Sequence, residues 1–146
     1  MGMFNSQYDC KIDAKGRMAL PAKIRSAIPE SNGANLFLRC ADDGCLTLLT
    51  QLEYKKIQNQ VNALSDHNPE TRKLKRSFFA MITEVELDSA GRILVPKGFL
   101  SFAALEKDAV VVGVGSYVEI WNPERYRELV FEDPADLSDL MQKYLS

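Results

Sequence analysis

Cys10-Lys-Ile-Asp-Ala-Lys-Gly-Arg-Met-Ala-Leu-Pro21 returns later in the chain as Val85-Glu-Leu-Asp-Ser-Ala-Gly-Arg-Ile-Leu-Val-Pro96. Asp, Gly, Arg and Pro coincide at an offset of 75 residues (Asp13 to Asp88), and the apolar positions between them coincide in kind. A second block follows in the same order. Cys45-Leu-Thr-Leu-Leu-Thr-Gln-Leu-Glu-Tyr54 aligns with Tyr117-Val-Glu-Ile-Trp-Asn-Pro-Glu-Arg-Tyr126 at an offset of 72, Tyr54 to Tyr126. Two ordered blocks at nearly one offset read as a tandem duplication, with the second copy three residues shorter between blocks.

Each copy carries the same local signals. Tyr8–Ile12 and Ile82–Leu87 read as strands, and Asp13-Ala-Lys-Gly16 and Asp88-Ser-Ala-Gly91 as tight turns. Asp bonds the backbone two residues on, and Gly accepts positive φ. Arg17–Leu20 and Arg92–Val95 are then the expected return strands, making each motif a β-hairpin tip. Pro21 and Pro96 stand where a helix can begin, followed by Ile24, Ala27 and Ile28 in one copy and Phe99, Phe102 and Ala103 in the other. A second hairpin is expected from Asn35–Arg39 with Cys45–Leu49, and from Ala109–Val114 with Tyr117–Trp121. Thr50 with Glu53 forms a capping box for a helix bearing Tyr54, Ile57, Val61 and Leu64, and Asn122-Pro123 opens its counterpart. Pro69 starts a basic helix after the loop Ser65–Asn68, and Leu137, Leu140, Met141 and Tyr144 recur at helical spacing near the end. Each copy is β-β-α-β-β-α, giving an α+β, mainly β fold.

Composition fits a soluble globular chain. Of 146 residues, 46% are apolar and 26% charged, so a real core is within reach and wholesale disorder is excluded. No stretch approaches the ~18–20 uncharged apolar residues of a membrane span. No apolar segment precedes Lys11, Lys15 and Arg17, and the cysteine count of three is odd, so the expectation is an intracellular protein with reduced thiols. Met1-Gly2-Met3-Phe4-Asn5-Ser6 fits the loose N-myristoylation pattern, which is short enough to arise by chance, and no acylation is read from it. Net charge is −2, so bulk charge does not coat this chain with nucleic acid. Charge is uneven, however: residues 69–76 carry Arg72, Lys73, Lys75 and Arg76 against Glu70, while 118–146 are net acidic.

Catalytic chemistry has little to build on. His67 is the single histidine, in a polar loop. Cys40 and Cys45 flank a hairpin turn without a second pair to complete a zinc site, and together with Cys10 read as structural residues. Gly113-Val-Gly115 reads as a bend, and Asp42-Asp43-Gly44 lacks the remainder of a calcium loop. No enzyme activity, catalytic residue, metal or cofactor is assigned.

The twice-used Asp-x-x-Gly-Arg tip remains. A turn needs the Asp and the Gly but not an Arg in both copies, and Arg suits bidentate contacts with phosphate or guanine edges. Through Asp13-Ala-Lys-Gly-Arg17 with Pro21, Asp88-Ser-Ala-Gly-Arg92-Ile-Leu-Val-Pro96 and the Thr71-Arg72-Lys73-Leu74-Lys75-Arg76 connector, the sequence resembles the MraZ family from about Met3 to Tyr126. These are bacterial regulators from the head of the division and cell-wall gene cluster. The resemblance implies tandem AbrB-like swapped-hairpin β-barrel units: repeats at 7–54 and 82–126, a helical connector at 55–81 and a C-terminal helical tail at 127–146. It also implies a homo-oligomeric ring in the cytoplasm, associated with the nucleoid. The implied partner is double-stranded DNA bearing repeated promoter boxes, and the implied outcome is transcriptional repression. Carried over residue by residue, Lys15, Arg17 and Arg92 are the expected DNA contacts, and Asp13, Gly16, Asp88 and Gly91 orient or form the turns. Copy two has Ala90 where copy one has Lys15, so the first tip is the expected reading head. The runner-up is a homo-oligomeric scaffold whose arginine tips bind an acidic protein. Survival of binding in excess random duplex separates the two.

Overall fold

A computed structural model of the chain describes residues 3–29 and 35–146; the Met1-Gly2 pair of the acylation pattern lies outside them. The elements follow the duplicated order. Copy one contributes β1 (Gln7–Lys11), β2 (Arg17–Ala19), α1 (Ala22–Ala27), β3 (Leu36–Cys40), β4 (Leu46–Thr50) and α2 (Gln51–Asn62). After α3 (Pro69–Ala80), copy two contributes β5 (Ile82–Val85), β6 (Arg92–Leu94), α4 (Lys97–Phe102), β7 (Asp108–Gly113), β8 (Val118–Trp121) and α5 (Pro123–Leu129), and α6 (Pro134–Leu145) ends the chain.

Strand pairing departs from the simple hairpin expectation. After Asp13 donates its N–H to the Arg17 carbonyl, β1 and β2 share one bridge, Ile12 to Met18, and then part. β1 pairs with β7, and β2 pairs with β6, both antiparallel. The physical reason is length and burial. A three-residue return strand makes too few ladder bonds to hold β1, while its central Met18 reaches the core only against Ile93 of the other copy. The tips are thus exchanged between copies, as the resemblance implies.

The large sheet runs β1-β7-β8-β4-β3-β5, and every pair in it is antiparallel. Exchanging equivalent strands reverses this order onto itself, so a pseudo-twofold axis passes through the β4–β8 junction, where Leu46 faces Ile120 and Leu48 faces Val118. The β2–β6 ribbon obeys the same symmetry. One core serves both copies: Met18, Leu38, Leu46, Ile93, Val111 and Ile120 have no exposed surface. β4 is buried along its whole length, the pattern of a strand covered on both faces. Ala41, Cys45, Val110 and Trp121 form a smaller cluster beneath Tyr126.

The helix starts follow the sequence signals. Pro21 and Pro96 hold extended backbone (ψ 143° and 150°) at the entrances of α1 and α4. Thr50 Oγ1 accepts the Glu53 N–H at 3.4 Å, but the Glu53 carboxylate turns to Lys56 Nζ at 2.9 Å instead of closing the box. Asn68, Asn122 and Asp133 cap α3, α5 and α6, each followed by proline at the first helical position. On α6, Leu137, Leu140, Met141, Tyr144 and Leu145 are all exposed.

Candidate nucleic-acid interface

Asp13 organises the first tip. Its Oδ1 accepts the N–H groups of Lys15 and Arg17, both at 2.9 Å, and its Oδ2 accepts Arg17 Nε at 2.7 Å. Its carbonyl accepts the Gly16 N–H at 3.0 Å, which closes the turn with Gly16 at φ +88°. Asp88 repeats every contact. Oδ1 accepts from Ala90 and Arg92 at 2.9 Å, Oδ2 from Arg92 Nε at 3.0 Å, and Gly91 stands at φ +75°. The Arg17 backbone N–H leads the causes that hold the Asp13 carboxyl below its ordinary range, and the Arg92 N–H does the same for Asp88. Both carboxylates are therefore ionised at neutral pH.

Each clamp takes its arginine by Nε. Among the described residues, the Nη atoms of Arg17 and Arg92 make no hydrogen bond, so the forked end of each guanidinium is held in place yet unengaged. That fork is the part of Arg able to meet two acceptors at once, whether phosphate oxygens or the O6 and N7 of guanine.

The ribbon sets the spacing of the two forks. Arg17 lies opposite Leu94, Met18 opposite Ile93, and Ala19 opposite Arg92. Met18 and Ile93 point into the core, so by strand alternation Arg17, Ala19, Arg92 and Leu94 share the outer face, with the arginines at diagonal corners. Reciprocal bonds lengthen the register: Leu20 N–H to the Gly91 carbonyl at 3.0 Å, and Val95 N–H to the Gly16 carbonyl at 2.9 Å.

The predicted residues thus come together in two equivalent constellations, Asp13-Gly16-Arg17 and Asp88-Gly91-Arg92, on one ribbon. Lys15 is exposed at the first tip, in a groove that also involves Lys11, Lys97 and Lys107; Lys11 is paired with Asp108 at 2.5 Å. Ala90 is exposed at the second tip. The second tip has a further neighbour in Arg25, whose side chain lies against Gly91. Its only linear signal is its place one turn after Pro21. The basic connector serves the loop before α3: Lys75 Nζ binds Asp66 at 2.7 Å, and Arg72 Nη1 donates to the Asp66 carbonyl at 3.2 Å.

Cys40 and Cys45 are buried, Cys10 is half-buried, and all three are free thiols. Burial pushes the Cys45 thiol up to about 12. His67 is exposed in the loop expected for it. Among the described residues, no group of three His, Cys, Asp or Glu side chains could hold a metal ion. No helix among them is long and apolar enough to cross a membrane.

Comparison with known proteins gives the same duplicated picture. A family model described as "MraZ protein, putative antitoxin-like" matches residues 3–77 and again residues 78–143. The chain is 45% identical over 146 residues to the transcriptional regulator MraZ of Cytophaga hutchinsonii, covering 100% of this chain and 97% of that protein. It is 42% identical over 124 residues to the protein of that name from Thermomicrobium roseum, covering 85% and 84%. The Mycoplasmoides gallisepticum protein of the same name is 37% identical over 142 residues, covering 95% and 97%. With one match for each copy of the tip, and relatives aligned over most of their length, the chain belongs to the MraZ family.

Proposed function

We propose that this chain is a sequence-specific DNA-binding transcriptional regulator, acting as a repressor of the division and cell-wall gene cluster through repeated promoter boxes. The observation that carries this reading is the pair of Asp–Arg clamps. Two carboxylates fix two guanidiniums by Nε on one face of a short ribbon and leave both forks unengaged. Arg17 and Arg92 read base edges, Lys15 neutralises phosphate, Asp13 and Asp88 orient the arginines, and Gly16 and Gly91 form the turns. The relatives' name, transcriptional regulator, supports the same role.

The chain acts as a homo-oligomeric ring in the cytoplasm, at the nucleoid. Net charge of −2 makes single-tip affinity modest. A ring meeting repeated boxes raises the effective concentration of each further contact. The repeats at 7–54 and 82–126 carry one tip each, 55–81 joins them, and the tail from 127 takes part in assembly. Its exposed Leu137, Leu140 and Met141 support that part of the reading.

The deciding experiment is a gel shift with the duplex upstream of the chain's own reading frame, in excess scrambled duplex. Retained binding that Arg17→Ala abolishes supports the reading. Loss of binding to the scrambled competitor overturns it and brings forward the scaffold, whose arginine tips bind an acidic protein.

A further inference from the structure

The two tips are built alike but neighboured differently. Each turn glycine receives a side chain from the short helix of the other copy. Leu100 of α4 lies on Gly16: a Cβ built there would stand 3.5 Å from Leu100 Cδ1. Arg25, its counterpart in α1, lies on Gly91, where a Cβ would stand 2.8 Å from Arg25 Cδ and 2.9 Å from its Cζ. The guanidinium therefore occupies the space above Gly91, and Nη1 donates to the Leu20 carbonyl at a long 3.5 Å. Arg25 is only half-buried, and it forms no ion pair with any carboxylate among the described residues.

A guanidinium is a costly way to fill space that leucine fills at the equivalent position, unless its charge is used. The charge is missing from this tip for a visible reason. Copy one carries Lys15 in its turn, and copy two carries Ala90. We propose that Arg25 is a further nucleic-acid contact, a phosphate-binding cation that copy one's helix supplies to copy two's tip. Each tip then presents two cations beside its acidic clamp: Lys15 with Arg17, and Arg25 with Arg92. This assignment rests on the DNA-binding reading above. It removes the asymmetry that Ala90 implies from sequence, and makes both tips competent to bind.

Three variants test it by titration against the upstream duplex and a scrambled duplex over a salt series. Arg25→Leu copies the packing found at Gly16 without the charge, and Arg25→Gln keeps a donor for the Leu20 carbonyl. Both should weaken binding several-fold on both duplexes alike, and lower the salt slope by about 0.9 for each phosphate that Arg25 no longer neutralises. Arg25→Leu combined with Ala90→Lys should recover the affinity, because it gives the second tip the first tip's arrangement. If both single variants match wild type at every salt while Arg17→Ala loses binding, Arg25 only packs and the proposal falls. If the lysine fails to rescue a folded double variant, the loss was of shape and the proposal also falls. If wild type itself binds neither duplex, the DNA-binding reading fails first and takes this assignment with it.

Discussion

Met18 and Ile93 face each other at the centre of the β2–β6 ribbon, and neither exposes any surface. Each comes from a different copy, so this contact, with Leu20 and Val95 at the ribbon's ends, ties the exchanged tips to the common core. Truncating either to Ala removes a large buried side chain whose surroundings include the partner's. The expected cost is about 2–5 kcal/mol per substitution. The double variant should cost less than the two singles added, because they share one cavity. Denaturant midpoints of the three variants check this, and single costs under about 1 kcal/mol would mean that the tips are held elsewhere.

Two glycines should respond in opposite directions. Gly16 has φ +88°, and an added Cβ would meet the Val95 carbonyl oxygen at 2.7 Å. That oxygen is backbone and cannot swing aside, so Gly16→Ala is expected to cost more than the ~1–2 kcal/mol of the left-handed conformation alone. Gly98 lies in α4 with nothing within 4 Å of its missing side chain and no positive φ. Gly98→Ala should raise stability by up to about 1 kcal/mol. Thermal unfolding of the pair reads both signs at once.

For DNA binding, Arg17→Ala is expected to lose roughly 1–3 kcal/mol of discrimination at each engaged tip. Affinity for the operator falls more than affinity for scrambled duplex. Lys15→Ala lowers both together and flattens the salt slope by about 0.9 for the phosphate it releases. The matched clamps predict that Arg92→Ala falls as far as Arg17→Ala. Titrating the three variants side by side, with light scattering as the assembly control, separates base reading from phosphate contact.

Acid should unfasten the tips. Asp13 and Asp88 have their folded carboxyl pKa values depressed, first by the backbone N–H groups of Arg17 and Arg92. A depressed folded value means that the contribution is fully present above the unfolded pKa of about 3.9. It is lost as pH falls through the folded value. The tips are therefore intact at neutral pH and loosen only below about pH 4. Carboxyl NMR titration checks the direction. Asp13→Asn keeps an oxygen for the turn N–H groups but replaces the anionic acceptor of Arg17 Nε with an amide NH2, so it should weaken DNA binding more than stability.

Much of this was legible from residue order. The duplicated tip, both proline-led short helices, the second hairpins and the Asn122 cap all lie where local chemistry puts them, because turns and caps are decided within a few residues. The clamp was legible for the same reason: Asp13 and Arg17 are four residues apart. Pairing was not. Whether β2 meets β1 or β6 depends on where Met18 finds a buried partner, and Ile93 lies 75 residues away in sequence. Arg25 was hidden likewise. Its neighbour is Gly91, and no pattern within α1 records a glycine of the other copy.

The exchange of strands also gives the protein a history during synthesis. β2 leaves the ribosome 75 residues ahead of β6, an interval on the order of 4–15 seconds at ordinary elongation rates. During that time the β3–β4 hairpin can close by itself, but β1 has no β7 beside it and Met18 has no Ile93 above it. The first half is a nascent chain with an open strand edge and a bare apolar side chain, the condition that invites association with other chains. A truncated product ending before Arg92 should accordingly be cleared or aggregate in cells, while the full chain accumulates. Abundance of the two after equal expression reads this directly. The expected outcome is that the second half, by completing the first, sets when the chain escapes clearance.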